Sequence, residues 1–423
     1  MTASMNMRSR VVLAALAGAL ALCGTALAGS GAAVGVKSVE GAPFSGAVAT
    51  YTSTVSANER FVEQAHLDLL GRSASSNELT ALAGFLGNGG TRAQVAGSLF
   101  GSDEYRTAFV GRAYTTLLRR AASPGELAFG LSLLKGGASD EQLKALLIGS
   151  GEYLPTQGGG TVAGFLNALY TDVLGRPIDP VAEALYAQQL AGVATRADVA
   201  LDVLTSLEAR QDLVGSLYEQ FLQRAADLAG LQAFTSMLGN GGTDEDVIAS
   251  LVGSSEYFAS VPASFATATI AWGDGSPVSP GTLAGSTISG SHTYAEEGYY
   301  PITVVVHDLD GTLTILGRAA VADAALSAKG TSFTIAKRTT HTETVATFTD
   351  GNPAATPSDF SAAITWGDGQ SSIGTVSALT GGGFAVIGSH RYTGKGSYTV
   401  AVHVADEGGS TADTVSTATV TNK

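Results

Sequence analysis

Cysteine is almost absent from this chain of 423 residues, because Cys23 is the single example. It lies within residues 1 to 28, which have the order of a secretory signal peptide: two arginines, an apolar run from Val11 to Leu22, and then Ala26-Leu27-Ala28. We expect cleavage after Ala28. The mature chain would then hold no thiol, no disulfide and no cysteine-based metal site.

Charged residues are also scarce, at 14% of the chain, and they leave a net charge of −14. Such a chain repels phosphate backbones and anionic lipid surfaces, so nucleic-acid binding is disfavoured. No apolar stretch reaches the roughly 20 residues that span a bilayer. We therefore predict an exported protein, secreted or held at the cell surface, without membrane insertion.

Sequence motifs for catalysis are missing as well. There is no Gly-x-Ser-x-Gly elbow, no His-Glu-x-x-His helix and no phosphate-binding loop. His292 and His390 occupy matched positions, but a catalytic histidine needs a nucleophile or an acid within hydrogen-bond distance, and no such set is indicated. We predict that the protein is not an enzyme and needs no cofactor.

The chain does contain a duplicated module. Both tryptophans open the same tetrapeptide, Trp-Gly-Asp-Gly, at Trp272 and Trp366, and each is followed by a Ser-His-x-Tyr string that ends at Tyr294 or Tyr392. A strand-like segment beginning at Val345 precedes Trp366 by 21 residues, whereas its counterpart at Val48 precedes Trp272 by 224, an excess of 203. We infer that a domain is inserted into the first module, as exposed loops tolerate.

The inserted segment contains four repeats. Each has an arginine that is followed after 32 residues by a glutamate, with a tyrosine or alanine next to it. Ser or Asp three residues past the arginine, and Thr or Ser nineteen residues past it, are helix N-caps, so each repeat is predicted to hold three short helices. The arginines lie 48, 56 and 48 residues apart, which indicates two pairs of repeats in sequence order. They are Arg72, Arg120, Arg176 and Arg224.

These repeats resemble a bacterial domain of unknown function that occurs in secreted and surface proteins, and their motif is similar to that of phycobilisome linker domains. The string from Tyr170 to Arg176 with Asp179, the Gly-rich turn and the terminal Ser-x-Glu-Tyr carry the resemblance over about residues 58 to 260. It implies a fold but no activity. The third repeat departs from the pattern, since Ala209 replaces the tyrosine.

Short segments rich in β-branched residues surround both tryptophans, and in the last of them Val400, Val402 and Val404 alternate with Thr399, Ala401 and His403. The Trp-Gly-Asp-Gly loop, the His-x-Tyr strand and the closing Asp308 or Asp406 resemble a PKD (polycystic kidney disease) domain, which implies an immunoglobulin-like sandwich. We therefore predict an α and β multidomain protein: an all-α repeat domain inserted in the first of two antiparallel β-sandwiches.

The predicted boundaries follow from these assignments. The signal peptide is 1–28, the first sandwich is 29–56 plus 261–325, the helical domain is 57–260 and the second sandwich is 326–423. Within the helical domain the repeats run at about 58–105, 106–153, 162–209 and 210–257.

Most residues that stand out are expected to be structural. Asp274 and Asp368 lie between glycines, where an aspartate commonly bonds to its own backbone turn, and the tryptophans and the matched Tyr294 and Tyr392 are expected in the core. The arginines would pair with the repeat glutamates and complement helix C-termini. The alternative for the arginines is capture of an acidic glycan or carboxylate.

Asp308 and Asp310 are candidate calcium ligands, because Asp-Leu-Asp-Gly resembles the first half of a calcium loop. The later carboxylates of such a loop are missing, and a simple turn between strands is the alternative. No other metal site is indicated.

The function that this organisation favours is surface interaction. We predict a non-catalytic, exported adhesion-type protein that displays its helical domain on β-sandwich modules and contacts a cell-surface or matrix protein or polysaccharide. The alternatives are a structural component of the cell envelope or extracellular matrix and an accessory fragment of a secreted hydrolase.

Overall fold

The computed structural model describes residues 30 to 422, so the predicted signal peptide lies outside the described residues. The chain forms two compact units: one runs up to Thr54 and resumes at Ala266, and the other is Val55 to Phe265. None of the helices in residues 30 to 422 is long and apolar enough to cross a membrane.

The first β-sandwich is built from strands on both sides of the helical unit. Its hydrogen-bonded order is β1-β3-β6-β5-β4-β7-β8-β2, antiparallel except that β2 is parallel to β8. The strands are β1 (Ser30–Ala33), β2 (Val36–Val39), β3 (Pro43–Thr52), β4 (Thr267–Ala271), β5 (Ser279–Ala284), β6 (Thr287–Thr293), β7 (Gly298–Asp308) and β8 (Gly311–Ala322).

The second β-sandwich repeats this arrangement strand by strand, with the order β9-β11-β14-β13-β12-β15-β16-β10 and a parallel pair between β10 and β16. Its strands are β9 (Leu326–Gly330), β10 (Phe333–Ala336), β11 (His341–Asp350), β12 (Phe360–Thr365), β13 (Ser371–Ala378), β14 (Phe384–His390), β15 (Gly396–Asp406) and β16 (Thr411–Thr421). Here only residues 351 to 359 separate β11 from β12, the position at which the first sandwich carries the helical unit.

Strand β3 completes the core of the first sandwich. It pairs with β6 from Pro43↔Thr293 to Thr50↔Thr287. Ala49 is fully buried, Val48 is 1% and Tyr51 3% exposed, and all three pack in the cluster that contains Trp272. The predicted alternation in the later strands is confirmed, since Val400, Val402 and Val404 are buried. The predicted α and β multidomain fold class is therefore confirmed.

The helical unit contains 14 helices within the described residues. They are α1 (Ala57–Leu70), α2 (Ser76–Gly87), α3 (Arg92–Phe100), α4 (Asp103–Leu118), α5 (Pro124–Lys135), α6 (Asp140–Ile148), α7 (Tyr153–Thr156), α8 (Val162–Leu174), α9 (Pro180–Ala191), α10 (Arg196–Leu204), α11 (Leu207–Leu222), α12 (Leu228–Gly239), α13 (Asp244–Val252) and α14 (Ser255–Ser260).

The predicted N-caps are confirmed. Ser75 and Thr91, for example, accept hydrogen bonds from the N3 backbone amides of α2 and α3, and Glu78 and Gln94 complete the capping boxes. The residues after the repeat glutamates do not end a repeat: they lie at the start of the next helix, where Tyr105 and Ala209 belong to α4 and α11.

The repeats that pack on each other are not the pairs that the sequence spacing indicates. Repeat two contacts repeat three, because α6 packs on α10 and Arg196 Nε donates to the carbonyl of Gly149 at 3.2 Å. Repeat four contacts repeat one in the same way, because α13 packs on α3 and Arg92 Nε donates to Gly253 at 3.3 Å. At both crossings a Cβ on the glycine would lie within 2.9 Å of backbone, which explains why glycine stands there.

Two tyrosines reinforce these contacts. Tyr153 donates its hydroxyl proton to Asp172 of α8 at 2.8 Å, and Tyr257 donates to Asp68 of α1 at 2.5 Å. The last repeat is thereby tied to the first, and the helical unit closes on itself.

A chain in which residues 55 to 265 are replaced by the nine-residue loop 351–359 should fold both sandwiches, because it restores the connection that the second sandwich has. A chain beginning at Ala266 lacks β1 to β3 and should retain only the transition of the second sandwich. Calorimetry and amide chemical shifts distinguish the two chains. A folded first sandwich in the shorter chain would contradict this account.

Tyr153→Phe should lower the free energy of unfolding of the helical unit by about 1–3 kcal/mol, because the side chain of its partner Asp172 is only 9% exposed and loses a donor. The matched variant Tyr257→Phe should cost about 0.5–1.5 kcal/mol, because Asp68 is exposed to water. Urea denaturation of both variants measures the difference. A larger loss in Tyr257→Phe would contradict the role given to the burial of Asp172, and no loss in either variant would contradict the closure of the unit through these bonds.

Candidate functional site

The Trp-Gly-Asp-Gly segments form matched internal clusters in the two sandwiches. Nε2 of His292 donates to Oδ2 of Asp274 at 2.6 Å, and the imidazole stacks on Trp272 with 4.9 Å between ring centroids. His390, Asp368 and Trp366 repeat this geometry at 2.9 Å and 4.7 Å. Each histidine is thus held by a carboxylate and an indole of its own module.

The remaining polar atoms of these clusters also have partners. The hydroxyls of Tyr294 and Tyr392 donate to the carbonyl oxygens of Trp272 and Trp366 at 3.1 and 2.8 Å. Although burial opposes it, hydrogen bonds from Ser276 and His292 hold the pKa of Asp274 at about 2. Both indoles are 1% exposed, which leaves no ring face for a sugar.

Asp308 and Asp310 lie at the end of β7 and hold the segment that follows β3. Asp308 accepts hydrogen bonds from the hydroxyls of Tyr51 and Ser53, both at 2.6 Å, and Asp310 accepts one from Thr54 at 2.8 Å. Burial, and then Asp308, raises the pKa of Tyr51 well above its usual range. The calcium prediction for this pair stays a prediction, with both carboxylates in use as hydrogen-bond acceptors.

Each repeat arginine forms a bidentate ion pair with the glutamate 32 residues later. Nε and Nη2 of Arg120 donate to the two oxygens of Glu152 at 2.6 and 2.7 Å, and the guanidinium also pairs with Glu126 at 2.6 Å. It lies 5.3 Å from the ring of Tyr114. The other arginines make the equivalent pairs Arg72–Glu104, Arg176–Glu208 and Arg224–Glu256.

Each arginine therefore joins the end of one helix to the start of the third helix after it in the chain. The paired N–H donors of these guanidinium groups, which would suit an acidic ligand, already bind the protein's own carboxylates. These contacts support the structural interpretation of the arginines over capture of an acidic glycan.

A cavity of about 400 Å³ opens between repeats one, two and four. The aromatic residues Phe100, Tyr105 and Phe109 lie on one side. The other sides are formed by the N-termini of α6 and α13, which contribute carboxylates, namely Asp140, Glu141, Asp244 and Glu245.

Sequence reasoning missed this site, although the sequence holds a signal for it. Twenty residues past the repeat arginine, repeats one and three carry Arg92 and Arg196, whereas repeats two and four carry Asp140 and Asp244. The arginines cross to the neighbouring repeat, and the aspartates face the cavity. The alternation of charge at one repeat position thus marks the site.

Burial makes these carboxylates costly to ionise. Burial, and then the charge of Glu245, raises the pKa of Asp140 to about 7. Burial also raises the pKa of Asp244, Lys144 opposes this shift from 3.7 Å, and Glu141 adds to it. Asp244 is 7% exposed, and within residues 30 to 422 its shielded Oδ1 has no hydrogen-bond partner. The cavity is therefore suited to a cationic group.

Asp140→Asn should change how stability depends on pH. In the unfolded chain an aspartate titrates near pH 4, so between about pH 4 and 7 the native state holds a proton that the unfolded state has lost, and the wild type loses stability as the pH rises. The variant lacks this loss and should gain at least about 1 kcal/mol over the wild type on going from pH 4 to pH 8, the equivalent of one pKa unit.

Urea denaturation at the two pH values measures the gain, with Asp212→Asn, an exposed position of α11, as the control. If the free energy of unfolding changes equally in Asp140→Asn and in the wild type between pH 4 and pH 8, then Asp140 ionises in the folded protein without an energetic penalty.

Part of the helical unit is similar to a known protein family. A family model described as a domain of unknown function (DUF4214) matches residues 144–213 and 209–261, which is less than half of the chain. The resemblance to phycobilisome linker domains is not confirmed. The search of curated proteins found no match.

Among solved structures, the chain is similar to the PKD domain of an M14-like peptidase from the Thermoplasmatales archaeon SCGC AB-540-F20, with 24% identity over 24% of this chain and all of that one, at a TM-score of 0.18. Fibronectin(III)-like modules of Clostridium thermocellum CbhA match with 15% identity over 37% of this chain and 78% of that one, at 0.18. An I-band fragment of titin matches with 13% identity over 37% of this chain and 55% of that one, at 0.20. At such identities and TM-scores these likenesses say nothing about ligands or partners.

Proposed function

We propose that the protein is an exported, non-catalytic surface-interaction protein whose helical unit makes the contact. The ligand would be a protein or polysaccharide of the cell surface or matrix that presents an ammonium group. The observation that carries this proposal is the cavity in which Asp140 and Asp244 are buried among further carboxylates.

The chemistry of the cavity supports a cationic ligand. Lys144 is 3.7 Å from Asp244, too far for a close hydrogen bond, so its charge offsets only part of the desolvation penalty of Asp244. An ammonium group that enters the cavity would reduce this penalty further, beside Lys144, whose own ammonium lies 5.5 Å from the ring of Phe109. A lysine side chain and an amino sugar both supply such a group.

In this function the two sandwiches would support the helical unit and would not bind the ligand themselves. Their most distinctive residues, the Trp-Asp-His clusters, direct their polar atoms to partners within the same module. The secretory character of residues 1 to 28 supports export to the place where such a ligand occurs.

Gly97→Leu should block binding without unfolding the protein. Gly97 lines the cavity, is exposed in the middle of α3, and a Cβ there would meet no atom within 4 Å among the described residues. Leucine also favours a helix over glycine by roughly 0.5–1 kcal/mol. Gly84→Leu is the matched control, because Gly84 lies in α2 with equally open surroundings and away from the cavity.

Immobilised lysine-rich peptides and glucosamine oligomers, each with an acetylated counterpart, serve as probes for the full chain, alongside whole bacterial cells. We expect binding to one amine-bearing class, at least a tenfold loss on acetylation, the same loss in Gly97→Leu, and wild-type binding in Gly84→Leu. Equal binding of acetylated probes, or wild-type binding by Gly97→Leu, would refute the cavity as the contact site. Absence of binding to every probe and to cells would refute the interaction function.

A further inference from the structure

Three carboxylates from distant parts of the sequence converge where the two sandwiches are joined. Glu40 follows β2, Glu297 precedes β7, and Asp323 lies between β8 and β9. One oxygen from each lies within 4.8 Å of the others. Two oxygens bound to one calcium ion at about 2.4 Å are at most about 4.8 Å apart, so this spacing fits a shared ion.

Glu40 is buried, Glu297 and Asp323 are partly buried, and few hydrogen-bond donors reach the cluster. Glu40 is 3% exposed; its carboxylate accepts a long hydrogen bond, 3.4 Å, from the amide of Ala324 and shares another with Glu297. Oδ1 of Asp323 is shielded from solvent and, within the described part of the chain, accepts no hydrogen bond. Among residues 30 to 422, no lysine or arginine forms an ion pair with any of the three.

The charges within the cluster act on each other. A side-chain hydrogen bond joins Glu40 to Glu297, and the charge of Asp323 also acts on Glu40. Because Glu40 is buried, water screens this repulsion less than it would in a surface patch of acidic residues. A bound cation would reduce the repulsion further.

The second sandwich contributes further oxygens to the same region. The charges of Asp323, Asp350 and Glu297 act on Asp406 at the end of β15. Oδ2 of Asp350, at the end of β11, is shielded and has no hydrogen-bond partner among the described residues. Both residues lie at strand ends that face the junction.

We propose that Glu40, Glu297 and Asp323 bind a calcium ion at the junction of the two sandwiches. All candidate ligands are oxygens, which excludes a typical zinc site, where histidine or cysteine dominates. Calcium accepts six to eight oxygens in irregular geometry, whereas magnesium demands a tight octahedron. This site is separate from Asp308 and Asp310 and does not depend on the function proposed above.

A bound ion would reinforce direct links between the sandwiches. Asn352 Nδ2 donates to the carbonyl of Ala295 at 3.2 Å, and the hydroxyl of Ser410 donates to Ala324 at 2.6 Å. The amide of Ser410 donates to Oδ2 of Asp323 at 2.5 Å, which leaves Oδ1 for the ion. Calcium would therefore hold both sandwiches and their linker as one rigid element.

Calcium titration of the EDTA-treated full chain tests the proposal, with calorimetry for binding and thermal unfolding for stability. The wild type should bind one calcium ion at this site, and its sandwich transition should rise by roughly 5 °C at saturation, the shift expected for about 1–2 kcal/mol of linkage. Magnesium at the same concentration should produce a smaller rise.

Glu40→Gln and Asp323→Asn should each lose this rise and, in EDTA, melt above the wild type, because repulsion is removed. Asp310→Asn is the matched control and should respond to calcium like the wild type. No calcium-dependent heat or thermal shift in the wild type would overturn the proposal. An undiminished response in both variants would overturn it too, and its loss in Asp310→Asn alone would place the ion at Asp308 and Asp310.

Discussion

The hydrogen bonds between β3 and β6 hold the first sandwich together, because they join residues 43–50 to residues 287–293 across the helical segment. Strand β1 pairs with β3, so its place in the sheet depends on the same bonds. The cost of closing so long a connection grows slowly with its length, by about 0.6 kcal/mol for each doubling of a flexible loop. Burial of Val48, Ala49 and Tyr51 can therefore stabilise the closed arrangement.

The helical unit shows how repeats can form a closed body in place of an open array. Each repeat arginine connects two helices that lie three positions apart in the chain, such as α4 and α7. The crossings at Gly149 and Gly253 join repeat two to repeat three and repeat four to repeat one. Arg92 and Arg196 make the contacts at these crossings, whereas Asp140 and Asp244, at the same position of repeats two and four, line the cavity. One position of the repeat thus supplies both the contacts between repeats and the carboxylates of the candidate site.

Local features of the fold were predictable because local rules produce them. The capping boxes at Ser75 and Thr91 and the alternation from Val400 to Val404 depend on residues a few positions apart. The pairing of repeats was not predictable, because every repeat presents nearly the same local pattern. The cluster of Glu40, Glu297 and Asp323 shares no motif at all, since strand pairing alone brings these residues together.

Native-state hydrogen exchange of the full chain tests most directly whether β3 belongs to the first sandwich. The amides of residues 43–52 should exchange as slowly as those of β7, and with added denaturant both should lose protection in one step, separate from the helices. Fast exchange in β3 while β7 stays protected would show that the strand is not part of this fold, and the central claim of a split sandwich would fail.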